Sequence, residues 1–146
     1  MQDIAILAVR KDSFAAQVVS FFTWSKWNHV AVRIGDKVYE MQPQGLRYVN
    51  IEYYEMICEF KELNTPQIDV EKAKVFMEKN KDKAYDWYRT LGWPLAFLFE
   101  SDIEDEYNCV DLAFELWESE GIILWEGRNL SPAAVHKELG EYGRAD

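Results

Sequence analysis

Two residues in this chain are of types that activate one another: His29, which opens the run "HVAVRIGDKVYEMQ", and Cys109, in "DEYNCVDLAFELW". A cysteine is a nucleophile only as its thiolate, and a histidine titrates close enough to neutrality to take the thiol proton. If the two meet, the chemistry is covalent: thiolate attack on a carbonyl, with the imidazole carrying the proton. A third polar group must then orient the ring. Glu40 and Gln42, at the far end of the same run, supply a carboxylate and an amide for that purpose.

The run around His29 is the strongest hairpin signal in the sequence, since apolar alternation brackets a two-residue turn that begins with Gly35. Counting outward from the turn, Ile34 faces Lys37, Val32 faces Tyr39, Ala31 faces Glu40 and His29 faces Gln42. Opposed residues share a sheet face, so His29, Ala31, Glu40 and Gln42 lie on one face. Val30, Val32, Ile34, Tyr39 and Met41 lie on the other. Taken alone, that pattern describes a half-buried hairpin with its polar face in solvent. The count sets Gln42 directly opposite His29 and Glu40 on a diagonal, which leaves the orienting residue open between them.

Cys109 raises the hairpin above that reading. Asn108 is a good N-cap, which puts Cys109 in the first turn of a helix striped by Leu112, Ala113, Leu116 and Trp117. A helix N-terminus offers partial positive charge and unpaired N–H groups, which favour a thiolate and can bind a developing oxyanion. Cys58 reads differently. It alternates with Met56 and Phe60 and is expected in the core. His136, in "SPAAVHKELG", is expected to cover the C-terminal half of its helix, without a comparable constellation.

The elements that must position these groups follow from pattern. "DIAILAV" reads as a buried strand and "SFAAQVVSFFTW" as a helix capped by Ser13. "GLRYVNI" and "MICEFKEL" are strand candidates, with Pro66 beyond them. "DVEKAKVFMEKN" is a helix capped by Asp69, and "CVDLAFELWESEG" a helix stopped by Gly121. In the last helix Ser131 is the cap, Pro132 the first helical residue and Gly140 the stop. The predicted class is α+β, a small antiparallel sheet packed against helices. No repeat or linker divides it, so residues 1–146 are expected to form one domain.

Bulk composition narrows the function. The chain has 146 residues, 49% hydrophobic and 15% aromatic, enough for a core without disulfides or a structural metal. Net charge is −10, with eight acidic and no basic residues between Asp102 and Glu120, which argues against nucleic acid or an anionic membrane as partner. That acidic run lacks calcium-loop spacing and reads as a solvated face. Two distant cysteines, with no C-x-x-C pair, signal neither a disulfide framework nor zinc. No cofactor or metal is expected. "LGWPLAFLF" is too short to span a bilayer and the start lacks signal-peptide features, so a cytoplasmic location without stable membrane insertion is expected. Nothing in the sequence specifies an oligomeric state.

The order of these segments resembles the permuted branch of the NlpC-type papain-fold cysteine peptidases, in particular the YiiX-type hydrolases. The lecithin retinol acyltransferases are more distantly similar. The likeness is carried by "DIAIL", "WNHVAVRIGDKVYEMQPQG", "AYDWYRTLG", "YNCVDLAFELW" and "LSPAAVHKEL", which together span nearly the whole chain. It implies a permuted papain-like fold, with Cys109 as nucleophile, His29 as general base and Glu40 as the residue that orients it. It further implies that Tyr85, in "AYDW", lies near the nucleophile and helps bind the oxyanion. The substrate it implies is a peptide or amide, of the kind found in bacterial cell wall. Two positions depart from the family pattern: Val110 stands where Ser commonly follows the nucleophile, and Gln2 where glycine is usual. Two other functions fit the same residues. One is acyl transfer or thioester hydrolysis on lipid, with Trp93, Leu95, Phe97, Leu98 and Phe99 lining an acyl groove. The other is a non-catalytic binding module that retains the fold.

Overall fold

The computed structural model describes residues 2–10, 27, 29–42, 45–81, 109–125 and 132–143, except for the side chains of residues 42, 45, 109, 132 and 133. Its centre is a five-stranded antiparallel sheet. In chain order the strands are β1 (Ile4–Arg10), β2 (His29–Ile34), β3 (Lys37–Gln42), β4 (Gly45–Asn50) and β5 (Glu59–Glu62). They lie side by side in the order β4-β3-β2-β1-β5. Four helices are described with them: α1 (Ile51–Ile57), α2 (Val70–Lys79), α3 (Cys109–Ser119) and α4 (Pro132–Leu139). The α+β class follows directly. The helix read in "SFAAQVVSFFTW", with its Ser13 cap, lies outside the described residues, as does the Ser131 cap.

Strand β1 lies inside the sheet, between β2 and β5, and both of its faces are apolar. Ile4, Ile6 and Ala8 join one buried cluster, and Ala5, Leu7 and Val9 join another on the opposite side. A strand covered on both faces reads as an unbroken apolar run, as "IAILAV" does. The first cluster is the larger. It packs Val30, Val32 and Ile34 of β2 against Val110, Leu112, Ala113 and Leu116 of α3, with Ala73 and Met77 of α2 and Val135 of α4. The second holds Ala31, Val38 and Tyr54, with Ile51, Cys58 and Phe60 packed against it.

The hairpin adopts the counted register, with Ile34 opposite Lys37 and Val32 opposite Tyr39. Gly35 has φ of 60°, the left-handed conformation that a two-residue turn demands and that glycine reaches without steric cost. Three helix boundaries also match. The Asp69 carboxylate accepts from the Lys72 N–H at 2.9 Å, Gly121 (φ 80°) follows α3, and Gly140 (φ 74°) follows α4.

Two expectations are corrected. The strand read in "MICEFKEL" begins only at Glu59, because Met56 and Ile57 belong to α1. Met56 is 82% exposed, so the alternation with Cys58 and Phe60 does not exist. Ile51 and Tyr54 instead share one side of a helix, the spacing that matters here. The polar face of the hairpin is likewise not in solvent. Helix α1 folds back over it, and His29 and Glu40 are both buried.

Candidate functional site

Glu40 is the organising residue. Its carboxylate is 0% exposed, and an ionised carboxylate without water needs several donors to be tolerable. Among the described residues, side chains from three elements provide them. His29 Nε2, at the start of β2, lies 3.0 Å from Oε2. The Tyr54 hydroxyl on α1 donates to the same oxygen at 2.8 Å. Arg47 on β4 donates to Oε1 twice, through Nε at 2.8 Å and Nη2 at 2.6 Å. Arg47 can do so because it stands directly opposite Glu40 in the β3–β4 ladder.

This arrangement fixes the histidine tautomer. A carboxylate that already accepts from a guanidinium and a phenol is ionised and can only accept, so His29 presents an Nε2–H to it. In the neutral ring the basic nitrogen is then Nδ1. Tyr54 remains a neutral phenol well into the alkaline range. Burial pushes its pKa far above the usual tyrosine value, and the adjacent Glu40 charge and the neighbouring Cys58 push it further.

Of the two candidates for holding the histidine, Glu40 is in contact with it, at 3.0 Å. The side chain of Gln42 lies outside the described residues, as do Asn108, Tyr85 and the apolar residues Trp93 to Phe99. Cys109 is described in its backbone alone, as the first residue of α3.

Contacts further along α3 relate the helix to the sheet. Near the other end of the helix, the Trp117 indole N–H donates to the Pro66 carbonyl at 2.7 Å. The flanking residues of Pro66 bind the start of β1: Thr65 Oγ1 accepts from the Ile6 N–H and Gln67 Oε1 from the Ile4 N–H, each at 3.2 Å. Ile4 pairs with Ile34, so Trp117 sits over the C-terminal end of β2. Cys109 begins the helix just over two turns earlier, about 12 Å along its axis. Helix α3 packs on β2, but its body and the His29 ring lie on opposite sides of the sheet. The body of α3 covers the Val30 and Val32 face, while the His29 ring lies on the Ala31 face beneath α1. His29 is the first residue of its strand and is buried.

Arg47 and Tyr54 were not singled out from the sequence, although both had a signal. Pairing "GLRYVNI" with β3 across a two-residue connection at 43–44 sets Arg47 opposite Glu40. Reading "IEYYEMI" as a helix would have turned Tyr54 inward with Ile51. Cys58, half-buried, packs against the second core cluster and adjoins Tyr54. His136 does have a carboxylate partner, Glu141, at 3.2 Å, and its ring lies 5.6 Å from that of Trp27. That pair is partly exposed and lies on α4 and the turn after it.

The acidic run is not uniformly solvated: Asp111, in the first turn of α3, is buried. Among the described residues, no group of three or more His, Cys, Asp and Glu side chains could hold a metal ion. Among the same residues, no helix is long and apolar enough to cross a membrane. Compared with known families and with curated proteins, the chain matches none.

Proposed function

We propose that the chain is a cysteine hydrolase of permuted papain-like type, cleaving a peptide or other amide bond. The observation that carries the reading is the buried Glu40 carboxylate locked onto His29 Nε2. A histidine held in this way keeps Nδ1 as its proton acceptor, and a cysteine at a helix start is the group that such a base activates.

In the proposed reaction the Cys109 S–H proton passes to His29 and sulfur attacks the carbonyl carbon. The C–N bond then breaks, and the imidazolium returns the proton to the departing amine. Water subsequently cleaves the thioester, its hydroxyl going to the acyl carbon and its proton, through His29, back to sulfur. Glu40 keeps the ring in one orientation throughout. The N–H groups at the start of α3 are suited to the developing oxyanion, and Tyr85 is proposed to assist them.

Alkylation with iodoacetamide tests the assignment. The wild type and Cys58→Ala should be labelled rapidly at neutral pH. Cys109→Ala should lose both labelling and turnover of amide probes, and His29→Ala should slow turnover by roughly 100-fold or more. Labelling that persists in Cys109→Ala but disappears in Cys58→Ala would place the reactive thiol beside Tyr54 instead and end this reading.

A further inference from the structure

We propose that Arg47 is a positioning residue that neutralises Glu40, so that the carboxylate clamps the His29 ring without drawing a second proton onto it. Its functional meaning rests on the cysteine-hydrolase reading; its geometry does not.

A lone carboxylate 3.0 Å from an imidazole in a water-poor site strongly favours the imidazolium. An imidazolium has no lone pair and cannot take a proton from a thiol. Glu40 alone would therefore hold His29 well while disabling it as a base. Arg47 removes that conflict. Its guanidinium meets Oε1 with two donors, the fork geometry in which arginine binds carboxylates best. The pair sums to zero charge, and His29 faces a neutral acceptor for its Nε2–H. Tyr54, on Oε2, adds orientation and no charge.

Among the described residues, the surroundings leave this role to Arg47. Arg10 on β1 is paired with Glu59 on β5 at 3.9 Å, both half exposed, so those charges cancel. Arg33 on β2 pairs with Glu62 on β5 and also bonds the Gly35 carbonyl, at the opposite end of the strand. Asp111, in the first turn of α3, adds a further acidic group on the other face, and Cys58 adjoins Tyr54 on this one. The Arg47 side chain is 44% exposed on an edge strand, whereas the carboxylate it neutralises is sealed. Its charge can thus be altered from outside without opening the core.

Proton NMR titration of the Cε1–H signals tests the proposal directly, since the chain has two histidines and His136→Gln assigns them. In Arg47→Met the His29 midpoint should move upward by about one pH unit, and Arg47→Lys should restore most of the difference. Arg47→Gln carries the same expectation as Arg47→Met, should the latter fail to fold. A midpoint that stays put or falls in the uncharged variants overturns the proposal, because a purely structural arginine would leave the titration where it was. Alkylation of Cys109 on the same samples separates the two ideas. A raised His29 midpoint beside a Cys109 that reacts like a free thiol upholds the charge balance and removes the hydrolase. A reactive Cys109 beside an unmoved midpoint does the reverse.

Discussion

At the scale of single residues, the site depends on what covers Glu40. The sequence put Glu40 and Gln42 in competition because register alone favours the directly opposed residue, while a side chain as long as glutamate bridges a diagonal. What holds Glu40 in place comes from Arg47 and Tyr54, residues whose relation to β3 is set by the next strand and helix. Tyr54 yields a prediction with a definite sign. Its folded pKa is raised above the ordinary value of 10.0, so its contribution to stability is complete below pH 10 and is lost as pH climbs beyond it. Each further pH unit costs about 1.4 kcal/mol for one such proton. Tyr54→Phe should be less stable by about 1 kcal/mol at pH 7, from the lost hydrogen bond to a buried carboxylate, and its stability should fall less steeply above pH 10. Urea unfolding of both proteins at pH 7 and above pH 10 measures this; parallel pH curves would refute it.

At the scale of elements, patterns with a single period were readable and those that change period were not. β1, the β2–β3 hairpin, α2, α3 and α4 all emerge where the sequence predicts them, since each has an apolar repeat and a capping or turn residue at its end. The stretch after β4 defeated the reading. There a strand turns into a helix of seven residues without a glycine or proline between them, and its apolar residues fit either period. The short helix is nonetheless what seals the histidine. Turn chemistry at the hairpin is testable in isolation. Gly35 meets nothing within 4 Å of an added Cβ, so the cost of Gly35→Ala is purely conformational. A left-handed φ for alanine should lower stability by about 1–2 kcal/mol, with Gly35→Asn milder. Equal urea midpoints for Gly35→Ala and wild type would contradict the turn as described.

At the scale of the whole molecule, charge and topology dominate. A net charge of −10 on 146 residues repels itself in the folded state more than in an expanded chain. Raising ionic strength from about 0.01 to 0.15 M shortens the screening length from about 30 to 8 Å, so Tm should rise over that range. Calorimetry that found a lower Tm in salt would mean that the surface ion pairs outweigh the repulsion. Sheet order, by contrast, was beyond the sequence: alternation identifies strands, but long-range packing decides that the first of them ends up inside the sheet, between β2 and the edge strand β5. That position governs how the chain can assemble. β1 gains no sheet partner until β2 and β5, both distant in sequence, come back to flank it. The entropy of bringing such separated segments together falls due before their contacts offset it, and pairing of this kind slows folding more than helix growth does. Until closure, the most apolar stretch of the sheet waits unpaired, and the speed of that one step sets how long it stays open to association with other chains.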